Sequence, residues 1–222
     1  MKKNLWTRNE LILTFNLYYK IPFNKINKSN QDIVNLANAI DRMSSAIAWK
    51  LVNFASLNPK IKGKGLSGAK NTSKLDIKIF NEFINNWNEL SIESEILYNQ
   101  IRPKGIVFQE INKKEGIDKQ AEVKTRINQN FFRSTVLSSY NNQSCITGLN
   151  KPDLLITSHI IPWSKDEKNR TNPQNGLYLN ALHDKAFDRG FIGIDKKYKI
   201  KILQKFMNIY QIMELKTILL NI

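Results

Sequence analysis

Polar side chains in the C-terminal half form a pattern that could hydrolyse a phosphodiester bond. His159 stands within the apolar run LLITSHIIPW, where an imidazole has little structural use. Asn175 follows in NPQNG, Asp184 lies nine residues after it, and Asp188 four residues further on. Because residues four apart share one face of a helix, the two carboxylates could bind one divalent cation. A nearby histidine could then deprotonate water for in-line attack on phosphorus.

The residues around this pattern suggest supporting roles. The carboxamide of Asn175 is expected to hydrogen-bond across a hairpin and to hold the strand of His159 in register. Trp163, at the end of the apolar run, is expected to pack in the core. Basic side chains flank the pattern and suit contacts with phosphate groups; they are Lys165, Arg170, Lys185 and Arg189.

The blocks SHIIPW, NPQNGL and LHDKAFDRG, in this order, resemble the HNH nucleases. The resemblance covers about a third of the chain, from Arg126 to Asp195. It implies a ββα-metal fold, in which a two-stranded hairpin and a helix hold one metal ion, expected to be Mg²⁺ with Mn²⁺ as the alternative. It places the general base on His159, the motif asparagine on Asn175 and the last motif position on Asp184.

Two departures from the family pattern concern the metal. His183 stands eight residues after Asn175 and would point about 100° away from Asp184 on a helix. We therefore expect Asp184 as the metal ligand, Asp188 next, and His183 as the least favoured candidate. Ser158 precedes the base where many HNH proteins have Asp or His. A neutral hydroxyl is a poor ligand, so the helix carboxylates and water are expected to hold the metal.

The charge of the chain is compatible with a nucleic-acid partner. Its 222 residues contain 34 Lys and Arg against 19 Asp and Glu, which gives a net charge of +15. Such a field attracts polyanions, although a compositional bias of the source would produce the same excess. The single cysteine, Cys145, excludes a disulfide framework and a Cys-rich zinc site, and without a CxxC partner it is expected to be buried.

Hydropathy argues against a membrane protein. No apolar run approaches the ~18 residues that span a bilayer, and the polar stretch WTRNE stands where a signal peptide needs apolar residues. The expectation is a cytoplasmic protein without a membrane partner.

The first 57 residues are predicted to form three short helices. Thr7 and Glu10 have capping-box spacing, Asn30 suits the start of a second helix, and Ser44 or Ser45 suits the start of a third. Apolar residues recur at helical spacing in each segment. A helix-turn-helix or Myb-like arrangement is an alternative interpretation of the same region.

The remaining chain is predicted to form a linker, a connector and the nuclease domain. A basic Gly/Lys linker at 58–72 precedes a helical connector at 73–122. In the connector, a helix capped by Ser73 is predicted to extend to Ile101 with a break near Ser91, and residues 102–122 are polar. The fold class is α+β. Domain 123–222 is expected to contain a helix from Arg126 to Tyr140, two strands, a short helix that stops at Gly190, and a hairpin around Asp195.

These features predict a metal-dependent HNH endonuclease that cuts DNA, in restriction or anti-phage defence. Cutting both strands needs two active sites, so a homodimer is expected. Two alternatives remain open. One is a nuclease effector activated by a protein partner or a ligand that docks on the N-terminal helices. The other is a DNA-binding module whose HNH unit has lost its metal, for which Ser158 is the sequence support.

Overall fold

The structure, a computed structural model, describes residues 5–59, 72–101, 117–195, 197 and 199–202. Its contacts divide the chain into two compact units. The first is Met1–Asn142 with His159–Gly176, and the second is Gln143–Ser158 with Leu177–Ile222. Helices form most of the first unit and small sheets lie near the C-terminus, which confirms the predicted α+β class. The predicted linker at 58–72 lies almost entirely outside the described residues, as do 102–116 of the connector.

The described residues of the first unit form six α-helices, and most of these begin where the capping residues predict. Thr7 and Glu10 cap each other's backbone N–H groups at the start of α1, and Ser73 and Asp76 do the same for α4. The side chain of Asn30 accepts from two N–H groups at the start of α2. The helices are α1 (Arg8–Lys20), α2 (Gln31–Ala39), α3 (Ser44–Leu57), α4 (Lys74–Phe83), α5 (Trp87–Ile101) and α6 (Ile117–Ser139).

Three boundaries differ from the prediction. The N-cap of α3 is Met43, which makes no side-chain cap, so neither Ser44 nor Ser45 caps this helix. The break was predicted near Ser91 but lies between α4 and α5, before Trp87. The chain changes direction there because the Trp87 ring is buried against the Tyr19 ring, with 4.4 Å between the centroids. α6 begins at Ile117 instead of Arg126, because the apolar pattern used to predict it marks only the part of the helix that packs.

The core of the first unit is centred on α1. This helix contacts each of α2 to α6, and its residues 11–18 are all buried. The ring of Phe15 packs against Phe54 at 4.8 Å and Phe80 at 5.7 Å between centroids. Each buried ring contributes about 1.5–3 kcal/mol of hydrophobic stabilisation. The three helices predicted for residues 1–57 therefore pack into a larger helical unit.

A buried ion pair joins α3 to α4 within this core. The Lys50 ammonium lies 2.8 Å from each carboxylate oxygen of Asp76. Asp76 is completely buried and also accepts from the backbone N–H of Ser73 in the capping box. Removing either charge alone would leave the other buried and unpaired, which typically costs about 3–5 kcal/mol.

The second unit contains the short elements predicted near the C-terminus. Strands β1 (Leu155–His159) and β2 (Gly176–Asn180) pair in a two-stranded sheet, and helix α7 (Ala181–Asp188) follows directly. β3 (Ile192–Ile194) and β4 (Ile200–Ile202) form an antiparallel hairpin in which Gly193 is opposite Lys201. The division between the units passes between the last two residues of β1 and between the first two of β2.

Local signals in this unit are confirmed except at the cysteine. Gly190 ends α7 with φ of 70°, a conformation that glycine adopts readily, and the N–H of Phe191 donates to the carbonyl of Ala186 at 2.8 Å. Cys145 was predicted to be buried but is exposed, because its backbone N–H is the group that turns inward, toward the carbonyl of Tyr178 at 2.8 Å. None of the helices in the described ranges is long and apolar enough to span a bilayer.

Candidate functional site

His159 lies at the end of β1, and one of its ring nitrogens is hydrogen-bonded to a backbone carbonyl. Nε2 is 2.8 Å from the backbone carbonyl oxygen of Arg170. A carbonyl oxygen only accepts, so Nε2 must carry the proton in the neutral ring. Nδ1 then has the lone pair, and no group in the described part of the chain bonds to it. His159 is therefore in the tautomer that a general base needs.

Aromatic rings hold the His159 imidazole on two further sides. The ring of Phe132, from α6, lies parallel to it, with 3.8 Å between centroids and 11° between planes. The ring of Trp163 meets it edge-on, at 5.6 Å and 87°. Such face and edge arrangements are the preferred geometries of aromatic pairs. Trp163 was predicted to pack in the core, and it is half-buried against this imidazole.

Arg170 is held within its own loop. Its Nε donates to the carbonyl of Trp163 at 2.8 Å, and its guanidinium carbon lies 5.3 Å from the centre of the Trp163 ring. One guanidinium nitrogen lies 3.4 Å from Glu167. These contacts keep the Arg170 backbone in place, which in turn presents its carbonyl to His159. The predicted phosphate contact of Arg170 stays a prediction.

Helix α5 anchors the same loop. The hydroxyl of Thr171, completely buried, donates to Oδ1 of Asn88 at 2.5 Å. The side-chain nitrogen of Asn88, Nδ2, lies 3.5 Å from the backbone carbonyl oxygen of Glu167. One α5 side chain thus contacts the loop both before and after Arg170, the residue whose carbonyl accepts from His159.

The carboxamide of Asn175 ties the chain after His159 to the chain before β2. Its Oδ1 accepts from the N–H of Ile161 at 2.8 Å, and its Nδ2 donates to the carbonyl of Ile161 at 3.0 Å. Nδ2 also donates to the carbonyl of Asn169 at 3.3 Å. The backbone carbonyl of Asn175 accepts from the N–H of Ile160 at 2.8 Å. Asn175 makes no contact with the His159 ring in these bonds, so its contribution is to position the backbone.

Gly176 follows at the start of β2, where α6 leaves no room for a side chain. A Cβ added at this position would lie 2.3 Å from Cγ2 of Val136 and 3.0 Å from Cζ of Phe132. The carbonyl of Gly176 also accepts from the Tyr140 hydroxyl at 3.2 Å. The absence of a side chain thus allows the backbone of Gly176 to lie directly against α6.

An acidic residue in the loop remains ionised. The side chain of Asn169 donates to the carboxylate of Asp166 at 2.7 Å, and its backbone N–H donates at 3.2 Å. The side-chain bond, with the backbone bonds and Lys168, lowers the pKa of Asp166 below its ordinary value. The loop next to His159 therefore contains two carboxylates, Asp166 and Glu167, as well as Lys165 and Lys168.

The candidate metal ligands are on α7, which begins at the N-cap Asn180. The side chain of Asn180 accepts from the N–H of His183 at 2.8 Å. Asp184 is half-buried and Asp188 exposed, and neither carboxylate bonds to another residue in the described ranges. Nδ1 of His183 is buried and has no hydrogen-bond partner there either. Asp188 does not pair with Arg189.

The donor chemistry of α7 fits a hard divalent cation. Carboxylate oxygens are the ligands that Mg²⁺ prefers, and Mg²⁺ usually retains several waters as further ligands. Asp184 and Asp188 are four residues apart on one helix, and no described residue bonds to either carboxylate in competition with a metal ion. Among the described residues, no three His, Cys, Asp or Glu side chains lie together as a metal-binding group.

The predicted site residues are thus assigned to two places. His159, Asn175 and Arg170 are brought together in the first unit, whereas His183, Asp184 and Asp188 belong to α7 of the second. Ser158, the residue before His159, is buried. The remaining predicted phosphate contacts are exposed and pair with no described residue; they are Lys165, Lys185 and Arg189.

Sequence reasoning missed three residues that shape the surroundings of His159. Phe132 and Thr171 do not adjoin His159 in sequence, and each has the residue type and pattern of an ordinary core position. Asn88 lies in a polar stretch of α5 and carries no motif. No local signal distinguishes these side chains, because their roles arise when α5 and α6 pack against the loop. Gly176 belongs to the motif block NPQNGL, but its closeness to α6 was not predicted.

Comparison with known proteins agrees with the motif blocks. Residues 144–195 match the family model described as HNH endonuclease. No curated protein and no solved structure matches the chain. The matched segment includes His159, Asn175 and the whole of α7. HNH nucleases generally use a divalent metal. Residues 144–195 of this chain therefore form a domain of the HNH endonuclease family.

Proposed function

We propose that this protein is a divalent-metal-dependent endonuclease that hydrolyses phosphodiester bonds of DNA. The observation that carries the proposal is the hydrogen bond from Nε2 of His159 to the Arg170 carbonyl. It leaves Nδ1 unprotonated in the neutral ring, in a segment that matches a nuclease family.

In the proposed reaction, Nδ1 of His159 takes a proton from a water molecule as its oxygen attacks phosphorus. The bond from phosphorus to the oxygen opposite the attacking water then breaks. The Arg170 carbonyl continues to accept from Nε2 and stabilises the positive charge that develops on the imidazole. Asn175 acts earlier, by holding the backbone at Ile161 through two hydrogen bonds.

Asp184 and Asp188 would hold the metal, with His183 as the third candidate. A bound Mg²⁺ or Mn²⁺ supplies positive charge that stabilises the scissile phosphate and the leaving oxygen. Lys165, Lys185 and Arg189 would contact other phosphates, since their charges are exposed and unpaired within the described ranges. The net charge of +15 adds a long-range attraction for DNA.

We also propose that the nuclease acts in restriction or anti-phage defence. A homodimer would supply the two active sites that are needed to cut both strands. Expression of the wild type should then reduce plaque formation by phage relative to His159→Ala. Equal plaque numbers for the two proteins would contradict the defence role and leave the nuclease activity to be judged separately.

The experiment that tests the activity incubates purified protein with supercoiled plasmid, with and without Mg²⁺ or Mn²⁺, beside His159→Ala. Nicking or linearisation should require metal and should disappear in the variant, whereas DNA binding by fluorescence anisotropy should persist. Added imidazole should restore part of the cleavage, because the substitution leaves a space beside the Phe132 ring. Rescue by imidazole separates the loss of a base from the loss of the fold.

The same assay separates the two alternatives. A nuclease that awaits a partner or ligand would bind metal but leave the plasmid intact. A DNA-binding module without metal would bind DNA and give no Mg²⁺- or Mn²⁺-dependent heat in calorimetry. Either result would contradict a nuclease active by itself, as would cleavage that His159→Ala retains.

A further inference from the structure

Phe132 contacts the candidate base from outside the segment that matches the HNH family. It belongs to α6, whereas the match begins at residue 144. Its side chain is 2% exposed, and its ring lies parallel to the His159 imidazole at 3.8 Å. Cζ of the same ring lies 3.0 Å from the position that a Cβ on Gly176 would take. A residue of the helical unit thus forms one wall of the site.

A parallel ring restrains the imidazole in a direction that its hydrogen bond leaves open. The hydrogen bond to Arg170 fixes the position of Nε2, but the imidazole could still rotate about that bond. Contact with the face of Phe132 opposes this rotation, because tilting the imidazole would drive its edge into the phenyl ring. Phe132 has no polar atom, so it restrains the ring without competing for the lone pair on Nδ1.

We propose that Phe132 is a positioning residue for His159, and that helix α6 is therefore part of the catalytic apparatus. This inference rests on the proposed function, in which His159 is the general base. In this role α6 sets the plane of the imidazole, and so the direction in which the Nδ1 lone pair points.

The adjacent residue provides a matched control. Phe131 is also 2% exposed, but it belongs to the core of the first unit, where its ring lies 6.4 Å from that of Trp87. Phe131→Leu and Phe132→Leu remove the same number of atoms from neighbouring buried positions. Only Phe132→Leu replaces a flat ring that faces His159.

The experiment compares full-length wild type, Phe131→Leu and Phe132→Leu in metal-dependent cleavage of a DNA duplex. A positioning role predicts that Phe132→Leu lowers kcat about tenfold to 100-fold, with KM and DNA affinity unchanged. Phe131→Leu should retain kcat within about threefold, although both variants lose thermal stability. Equal kcat values for the two variants would overturn the inference.

A spectroscopic measurement tests the geometry without relying on activity or on the folding of a variant. The chain has two histidines, so a carbon–proton spectrum of the imidazole groups contains two sets of signals, and His159→Ala assigns them. Protons above a phenyl face are shielded. The His159 signals of the wild type should therefore lie upfield of ordinary histidine values and move downfield in Phe132→Leu, while the His183 signals stay in place.

The outcomes distinguish this inference from the proposed function. Wild-type His159 signals at ordinary values would overturn the positioning role even if the protein cuts DNA. A wild type that cuts no DNA under any metal condition would overturn the proposed function, and the positioning role with it, even if the upfield shift is present. Cleavage together with the upfield shift and a selective loss of kcat would support both.

Discussion

The His159 imidazole and the polar side chains of α7 differ in how many contacts other residues make with them. Around His159, the Arg170 carbonyl and the rings of Phe132 and Trp163 contact the imidazole on separate sides. On α7, Asp184 and Asp188 bond to no residue in the described ranges, and Nδ1 of His183 is buried without a partner there.

This difference follows from what each group would have to do. A general base must present one lone pair in one direction, so contacts that restrain its ring favour the reaction. A metal ligand must keep its lone pairs available, so internal hydrogen bonds would compete with the ion. Substitutions at α7 should therefore change activity alone, whereas substitutions around His159 should change both stability and activity.

The largest effect is expected from Asp184→Asn. Loss of the charge should lower metal-dependent cleavage by about 100-fold or more. The free energy of unfolding should change by less than about 0.5 kcal/mol, because the carboxylate bonds to no residue that the structure describes. Plasmid cleavage and chemical denaturation measure the two quantities, with Asp153→Asn, at an exposed carboxylate outside α7, as the control. A large loss of stability in Asp184→Asn with unchanged cleavage would contradict the contrast drawn between α7 and the surroundings of His159.

Gly176→Ala should have the next largest effect, and it should act on stability. The new methyl would lie 2.3 Å from Cγ2 of Val136, and relieving this overlap should cost about 3 kcal/mol. Gly193→Ala is the matched control, since a Cβ there has no atom within 4 Å among the described neighbours. Equal melting temperatures for the two variants would contradict the close approach of Gly176 to α6.

Asn175→Ala should destabilise the protein by about 2 kcal/mol, because its carboxamide makes three hydrogen bonds to backbone groups. Cleavage should fall together with stability, unlike the result expected at Asp184. Asn150→Ala changes an exposed carboxamide and should leave both quantities unaltered. Urea denaturation and plasmid cleavage measured side by side test the prediction, and a stable but inactive Asn175→Ala would assign this residue to the chemistry instead.

The smallest effect is expected from Thr171→Val, which preserves shape and removes one buried hydroxyl. Asn88 then loses its donor, at a cost of about 1 kcal/mol, and the loop that carries the Arg170 carbonyl is held less firmly. Cleavage should fall severalfold, and Thr171→Ser should restore most of it. If valine and serine behave identically in denaturation and in cleavage, the bond to Asn88 has no part in holding the loop.

Prediction from sequence succeeded where a structure depends on neighbouring residues. The capping residues Thr7, Asn30 and Ser73 were all predicted correctly, because a side chain that bonds to the next helical turn needs no distant partner. The helix stop at Gly190 was predicted for the same reason. The break between α4 and α5 and the cap of α3 at Ser44 or Ser45 were predicted wrongly. The break lies before Trp87, whose ring packs against Tyr19 of α1, and α3 begins after Met43 without a side-chain cap.

The sequence by itself determined that this chain contains an HNH endonuclease segment. Its motif blocks need only their order and spacing to be recognised, and the family match at 144–195 agrees with them. The tertiary structure alone decided which groups surround His159. Phe132, Asn88 and the Arg170 carbonyl carry no motif, and their effect depends on distances and ring angles that arise when α5 and α6 pack against the loop. Spacing along a chain records which groups can be adjacent within one element, whereas packing decides which groups from different elements meet.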